Sequence, residues 1–223
     1  MLFAAGKGTR MGALTADRPK PLIKVAGKKL IDHALAQIKD ARIPNVVTNV
    51  HYFSWMISDH LKGTNFQISD ETDALLETGG GLRHALPLLG PEPVFTMNSD
   101  AVWTGPNPLN QLAEVWDPER MDALVLLVEP SMKNGYKGKG DFVRDADGRL
   151  RRGPDLIYTG AQILATDLLE EIPENIFSLN RVWDLMLERG RLFGIVHSGG
   201  WCDVGSPEGI DAATKMLEAE GYV

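Results

Sequence analysis

The chain has 223 residues, of which 43% are hydrophobic and 24% are charged. This composition excludes a mainly disordered chain, and the length suits one large domain or two small ones. Thirty acidic against 23 basic residues give a net charge of −7, which argues against a nucleic-acid partner. The single cysteine, Cys202, fits a cytoplasmic protein, and no apolar run reaches the ~18 residues that a membrane span needs.

The first part of the chain alternates predicted helices with predicted strands. Helical spacing of apolar residues, with glycine or proline at the breaks, predicts helices over residues 28–42, 53–61, 78–89 and 109–116. Apolar or β-branched runs predict strands over residues 46–50, 66–69, 93–97 and 123–128. Such alternation is typical of crossover units, so we expect an α/β, Rossmann-like fold with a mostly parallel central sheet flanked by helices.

The pattern changes after residue 128. Residues 141–144 and 149–151 flank the turn Asp145-Ala146-Asp147-Gly148, which predicts a β-hairpin. Further strands are predicted over residues 157–164 and 192–196, and further helices over residues 179–187 and 206–220. We therefore expect a single domain over residues 1–223, whose second half, 129–223, adds mixed or antiparallel strands to the first half, 1–128.

A glycine-rich loop follows the first apolar residues. Residues 4–11 read Ala-Ala-Gly-Lys-Gly-Thr-Arg-Met, and glycines there let backbone N–H groups approach a phosphate closely. Arg10 could fork onto phosphate oxygens. The spacing excludes a Walker A loop, and Met11 stands where a dinucleotide fingerprint needs its third glycine. A glycine turn that binds nothing is the alternative for this segment alone.

One lysine and two acids have positions that suit a phosphate ligand. Lys20 lies between two prolines, which predicts a stiff, extended backbone and a preorganised cation. Asp100 follows a predicted strand, at the sheet edge where α/β proteins bind ligands, and Asp203 lies in a glycine-flanked turn. The two carboxylates could share one Mg²⁺ if the fold brings them together. A solvated lysine and helix-capping aspartates are the alternatives for each feature alone.

A second glycine cluster, Gly79-Gly80-Gly81, opens the helix predicted over residues 78–89. Each glycine costs about 1 kcal/mol of helix stability relative to alanine, which favours a group that needs close approach to the backbone there. The edge of a nucleobase is one such group, and a flexible loop is the alternative.

In chain order, these segments resemble the motifs of the sugar-1-phosphate nucleotidyltransferases: residues 4–11, 19–22, 78–81, 98–100 and 201–205. The resemblance spans essentially the whole chain and implies a glycosyltransferase A-like fold. It also implies transfer of a nucleoside monophosphate from a nucleoside triphosphate to a sugar 1-phosphate, with release of pyrophosphate. Residues 76–81 and 140–142 are most similar to the subfamily of uridylyltransferases that act on N-acetylmuramate 1-phosphate. Thymidylyl, guanylyl and cytidylyl transfer stay open.

The resemblance also implies roles for single residues, with residues 1–128 binding the nucleotide and 129–223 the sugar. The catalytic cations are Arg10 and Lys20, and the Mg²⁺ ligands are Asp100 and Asp203. The nucleotide-binding residues are Ala5, Gly6, Gly8, Thr9, Arg10, Gly79 and Gly80. The sugar-binding residues are Asn98, Gly140, Asp141, Thr159 and Gly160. The implied partners are the two substrates, and we expect a monomer or a small homo-oligomer.

Some expected features are missing from the chain. No Glu-Lys-Pro segment is present to hold the sugar phosphate, and Lys139, Arg151 and Arg152 are the candidates to replace it. A glycosyltransferase is disfavoured because Asn98 stands where such an enzyme has the first acid of its Asp-x-Asp metal motif. A non-catalytic nucleotide-sugar sensor is disfavoured because the chain keeps the catalytic cations and both metal acids.

The side chains that most often act as catalytic nucleophiles or bases have no predicted role. A sugar phosphate is largely ionised near pH 7, because its second pKa is about 6, and so it needs no general base. We therefore assign packing or capping roles to His33, His51, His60, His84 and Cys202.

Overall fold

The computed structural model describes residues 1–136 and 138–222. Its strands are β1 (Leu2–Phe3), β2 (Lys24–Val25), β3 (Lys28–Lys29), β4 (Val46–Val50), β5 (Phe66–Asp70), β6 (Val94–Asn98), β7 (Ala101–Trp103), β8 (Ala123–Val128), β9 (Lys133–Asn134), β10 (Phe142–Arg144), β11 (Leu150–Arg152), β12 (Ile157–Leu164), β13 (Leu192–Val196) and β14 (Trp201–Asp203). Its α-helices are α1 (Leu30–Asp40), α2 (Ser54–His60), α3 (Glu77–Leu89), α4 (Pro108–Val115), α5 (Leu179–Glu188) and α6 (Pro207–Ala219). No helix in these ranges is long and apolar enough to cross a membrane.

Seven of the described strands form one sheet in the order β13-β8-β12-β6-β1-β4-β5. Neighbours in this sheet run parallel except at β12, which is antiparallel to both β6 and β8. The predicted α/β fold, with a mostly parallel sheet and an antiparallel addition from the second half, is confirmed. Because β12 lies between β6 and β8, the two halves of the chain build one sheet.

Helices cover both faces of this sheet, and strand β8 illustrates why. All six of its residues are buried, and their side chains alternate between the two faces because successive residues of a strand point in opposite directions. Leu124, Leu126 and Val128 pack with apolar residues of α1, α2 and α4, whereas the three intervening residues pack with α3 and α5. A strand that is buried on both faces reads as a continuous apolar run, which is the pattern in the sequence.

The described strands also form three smaller sheets: β10–β11, β2–β3 and the three-stranded β7-β14-β9. The hairpin β10–β11 is present as predicted, and Gly148 turns it with a φ of +91°. Residues 201–203, in contrast, were expected to form a turn, and that expectation is wrong. They form strand β14, which pairs antiparallel with β7 and parallel with β9. The backbone N–H and C=O groups of β14 are hydrogen-bonded to β7 and β9. Both partner strands are distant in the chain, so the local sequence around residues 201–203 did not predict this pairing.

Candidate active site

A cleft of about 440 Å³ opens where strands β1, β4 and β6 end. Parallel neighbours place their carboxyl ends at the same edge of a sheet, where α/β proteins bind ligands. Predicted residues that line this cleft are Ala5, Gly6, Gly8, Thr9, Arg10, Lys20, Asn98 and Asp100. The fold therefore gathers segments that are separated by about 90 positions in the chain.

The glycine-rich loop forms the wall of the cleft next to β1. Ser99 ties the loop to the next strand, because its backbone N–H and its hydroxyl both donate to the Phe3 carbonyl, at 3.1 and 2.6 Å. Gly8 has a φ of +63°, and a Cβ atom there would lie 2.8 Å from Lys20 Cβ. Gly6 has no heavy atom within 4 Å of the equivalent point, so its backbone is open to a ligand.

Lys20 is buried, with 7% of its surface exposed, and it lies at the start of a 3₁₀ turn formed by Lys20–Leu22. The predicted extended backbone holds for Pro19, whose ψ is 148°, but is wrong for Lys20 itself. The turn forms because the Ile23 N–H donates to the Lys20 carbonyl at 3.0 Å. The Lys20 ammonium donates to Asp100 Oδ2 at 2.5 Å, which removes the alternative of a solvated surface lysine.

The two predicted metal acids come together through the short ribbon of β7 and β14. In that ribbon Asp203 pairs with Ala101, the neighbour of Asp100, and the Val204 N–H donates to the Asp100 carbonyl at 2.8 Å. Burial and the Asp100 carboxylate raise the pKa of Asp203 to about 6, although the Lys20 and Arg10 cations oppose this rise.

Gly205 leaves room for Arg10 beside the acids. A Cβ atom at Gly205 would lie 2.8 Å from Asp203 Oδ2 and 2.9 Å from Arg10 Nη1. A larger residue would therefore separate the guanidinium from the carboxylate. Arg10, Lys20 and Asp100 line the cleft together with open backbone groups. Asp203 is not one of the lining residues, but it lies directly behind Gly205, which is.

This donor set fits Mg²⁺. Backbone pairing brings Asp100 and Asp203 into neighbouring positions, and the Asp100 carboxylate contributes to the raised pKa of Asp203, so a divalent cation could be shared by the two carboxylates. Mg²⁺ is usually held by one or two carboxylates together with substrate phosphates rather than by a cage of protein ligands. No cluster of three or more His, Cys, Asp or Glu side chains suited to a metal occurs among the described residues.

Comparisons with known proteins support the same class of site. The model of the MobA-like NTP transferase domain matches residues 1–136. The chain is 39% identical to the N-acetylmuramate alpha-1-phosphate uridylyltransferase of Caulobacter vibrioides, over 98% of this chain and 97% of that protein. It is 33% identical to the enzyme of the same name from Neisseria meningitidis serogroup B, over 92% of each. The chain belongs to the sugar-1-phosphate nucleotidyltransferases.

The fold of this nucleotidyltransferase also matches solved structures. A putative glucose-1-phosphate thymidylyltransferase from Bacillus anthracis superposes with a TM-score of 0.80 at 17% identity, over 96% of this chain and 92% of that one. At this identity the match supports the glycosyltransferase A-like fold and nothing finer.

The second glycine cluster of the nucleotidyltransferase does not line the cleft. The N–H groups of Gly79 and Gly80 both donate to the Phe177 carbonyl, at 2.8 and 3.0 Å. A Cβ atom at Gly79 would overlap the Phe177 ring, and one at Gly80 would overlap the Asn175 carbonyl oxygen. The expected close approach to the backbone is real, but the approaching group is a loop of the protein itself. The residues that line the cleft in this region are Leu75, Glu77 and Thr78.

The structure separates the residues predicted to bind sugar. Asn98 lines the cleft, and Gly160, at a φ of +89°, makes room for its side chain, because a Cβ there would lie 2.8 Å from Asn98 Nδ2. Thr159 is buried, and its hydroxyl donates to the Leu126 carbonyl. Gly140 packs against the Pro154 carbonyl, and Asp141 Oδ2 accepts from the Tyr158 N–H at 2.9 Å. Of the predicted sugar-binding residues, only Asn98 therefore lines the cleft, and the other four have contacts within the protein.

The candidates for the missing sugar-phosphate contact also lie away from the cleft wall. Arg152 donates to Asp184 Oδ1 at 2.7 Å and stacks on the Trp183 and Phe142 rings, so its charge is already used. Lys139 and Arg151 are exposed and are not among the residues that line the cleft. The described part of the chain brings only Arg10 and Lys20, of the predicted cations, to this site.

Sequence reasoning missed two polar residues of the site, Asn49 and Glu71. Asn49 lies near the end of strand β4 and lines the cleft, and Glu71 follows β5 and is 3% exposed. Their positions could have predicted a place at the site, because both are polar residues at the carboxyl ends of β4 and β5, which are neighbouring parallel strands. That prediction needs the order of strands in the sheet, which the sequence alone did not provide.

Proposed function

We propose that this nucleotidyltransferase transfers UMP from UTP to N-acetylmuramate 1-phosphate in an Mg²⁺-dependent reaction that yields UDP-N-acetylmuramate and pyrophosphate. One observation carries the proposal: Arg10 and Lys20 converge with the Asp100–Asp203 pair at a glycine-rich loop. The names of the two relatives, which are 39% and 33% identical over most of the chain, support these substrates.

The charges in the cleft suggest how a triphosphate would lie in it. Arg10 and Lys20 provide positive charge next to the open backbone of the glycine-rich loop, which favours the phosphates there. Glu77 lines the cleft with Leu75 and Thr78, and its carboxylate would repel phosphates. The uncharged nucleoside therefore fits next to Leu75 and Thr78.

The residues present suit a single in-line displacement. A phosphate oxygen of the sugar 1-phosphate forms a bond to the α-phosphorus while the bond from that phosphorus to the oxygen bridging to the β-phosphate breaks, and pyrophosphate leaves. The attacking phosphate is already ionised, so no proton has to be removed. What the protein must supply is alignment of several anions and stabilisation of the charge between them.

Each charged residue has a defined task in this scheme. Asp100 and Asp203 would hold Mg²⁺, which when bound neutralises phosphate charge and supports the departure of pyrophosphate. Lys20 is fixed by burial and by Asp100, so its ammonium can contact phosphate oxygens with little further ordering. Arg10 is exposed at the mouth of the cleft and can bind the outer phosphates.

Pyrophosphate release tests the proposal directly. The protein would be incubated with Mg²⁺ and each of UTP, dTTP, CTP, GTP and ATP, paired with a panel of sugar 1-phosphates that includes N-acetylmuramate 1-phosphate. We expect release with UTP and N-acetylmuramate 1-phosphate together, and loss of release when the metal is chelated. Release with another pair would contradict the substrates. A parallel incubation with nucleotide sugars tests the alternative, because release of a nucleoside diphosphate from a nucleotide sugar would indicate a glycosyltransferase. Triphosphate binding without release would indicate a sensor.

A further inference from the structure

A buried hydrogen-bond network lies directly behind one end of the cleft. The amide of Asn49 makes two bonds: its Oδ1 accepts from the Ala4 N–H at 2.8 Å, and its Nδ2 donates to Glu71 Oε1 at 2.8 Å. The other oxygen of Glu71, Oε2, accepts from the Leu76 N–H at 3.2 Å. Asn49 and Glu71 are both 3% exposed, so these bonds form away from solvent.

This network joins two walls of the cleft. Ala4 begins the glycine-rich loop, and Leu76 lies between Leu75 and Glu77, which line the opposite side. The Glu71 carboxylate therefore connects the two segments: it binds the Leu76 N–H directly and the Ala4 N–H through the Asn49 amide. Gly81 in α3 closes over them, because a Cβ atom there would lie 2.5 Å from Glu71 Oε1.

Glu71 determines the orientation of the Asn49 amide. A carboxylate only accepts hydrogen bonds, so it selects the –NH₂ end of the amide and leaves the oxygen facing the Ala4 N–H. If the amide turned over, its –NH₂ group would face the Ala4 N–H and the buried donor would lose its partner. An unsatisfied buried donor is costly, so the correct orientation keeps the loop in place.

We propose that Glu71 is a positioning residue for the nucleoside end of the nucleotide site, acting through Asn49 on the glycine-rich loop and through the Leu76 N–H on the segment before α3. The inference rests on the proposed function, because it assumes that the nucleoside lies next to Leu75 and Thr78. It assigns Glu71 no contact with substrate. Its effect is therefore expected on nucleotide binding rather than on the displacement step.

The test is Glu71→Gln, which keeps the size of the side chain and adds a donor. Either Asn49 or Leu76 then faces an –NH₂ group where it had an acceptor. We expect KM for the nucleoside triphosphate to rise about tenfold, the loss typical of one hydrogen bond to a charged group. We expect kcat and KM for the sugar 1-phosphate to stay within about twofold of wild type, because the cations and metal acids are unchanged.

A reciprocal exchange, the double variant Asn49→Asp with Glu71→Gln, supplies the rescue. The new amide at position 71 donates to the new carboxylate at position 49 and accepts from the Leu76 N–H, while that carboxylate also accepts from the Ala4 N–H. Every bond of the network is restored, with one carboxylate as before. We expect KM for the nucleotide to return to within about threefold of wild type, while Asn49→Asp alone, with two facing carboxylates, stays impaired. If Glu71→Gln folds poorly, Asn49→Asp and the double variant are compared instead, and equal KM values for the nucleotide would contradict the inference.

The matched control is Asp122→Asn. Asp122 is a partly buried acid that accepts from Arg191 Nε at 2.6 Å, and it precedes β8, at the opposite edge of the sheet from the cleft. We expect it to lower the melting temperature without changing KM. A rise in KM for both substrates, a fall in kcat alone, or no rescue by the double variant would overturn the inference. Wild-type protein that releases pyrophosphate with a different nucleotide would instead overturn the proposed substrate, and KM would be measured with that nucleotide.

Discussion

At the scale of single residues, the site depends on the fixed positions of its charged side chains rather than on a nucleophile or a general base. Lys20 has 9% of its side chain exposed and is fixed by Asp100, whose side chain is 29% exposed. A cation that is already ordered and desolvated stabilises developing charge better than a mobile one. Ser99, the neighbour of Asp100, is fixed because its hydroxyl donates to the Phe3 carbonyl at 2.6 Å.

Lys20→Ala should lower kcat by about a hundredfold, the usual effect of removing one preorganised electrostatic contact in the transition state. Lys62→Ala is the matched control, because Lys62 also pairs with an aspartate, Asp59, but with 77% of its side chain exposed. We expect no change in kcat for the control. Steady-state kinetics of folded protein check this, and a Lys20→Ala kcat within about threefold of wild type would contradict the assigned role.

At the scale of elements, two short contacts between segments position the site. The β7–β14 ribbon brings together two acids separated by 103 positions, from Asp100 to Asp203, through one antiparallel register. The start of α3 is held against residues 175–177 through the glycines of its first turn. The first contact includes Asp203 itself, and the second positions the segment that contains the cleft residues Glu77 and Thr78.

Gly80→Ala distinguishes the two explanations for the second glycine cluster. Helix propensity alone predicts that alanine stabilises α3 by about 1 kcal/mol. The contact predicts the reverse, because a Cβ atom at position 80 would overlap the Asn175 carbonyl oxygen. We expect a lower melting temperature in thermal unfolding, by several degrees. An increase would show that the helix and the loop separate easily.

At the scale of the whole molecule, His197 links regions that lie far apart in the chain. It follows β13, accepts from Gln111 in α4 at 2.8 Å through Nδ1, and donates through Nε2 to the Thr104 carbonyl at 3.2 Å. Burial lowers its pKa below the usual value of 6.5, although its backbone hydrogen bonds and nearby Glu220 oppose this. The native protein therefore holds His197 as the neutral imidazole that these bonds require.

The stability of the fold should consequently fall in mild acid. A histidine whose pKa is lower in the folded state binds more protons when the chain unfolds, so the free energy of unfolding decreases as the pH falls below about 6.5. His33, whose pKa is also lowered by burial, acts in the same direction. We expect His197→Gln to show a flatter dependence in urea unfolding between about pH 7.5 and 5.5, with exposed His84→Gln as the control. Equal slopes for His197→Gln and wild type would refute the assignment.

The amino-acid sequence by itself determined the elements and the class of protein. Helices α1 and α5, strands β4, β8 and β12 and the β10–β11 hairpin follow from hydrophobic spacing and turn residues, because these patterns are local. The motifs around Gly6, Lys20 and Asp100 predicted the family, since phosphate binding imposes particular residue types on short segments.

Only the tertiary structure decided which of these residues meet. The Asp100–Asp203 pair depends on a strand, β14, that has no local signal because its partners β7 and β9 are distant in the chain. The roles of Gly79 and Gly80 differ from the expected ones because the group that approaches them belongs to a segment about 95 residues away. The glycine cluster in the sequence indicates that some group approaches the backbone closely. The packing of distant segments determines which group that is.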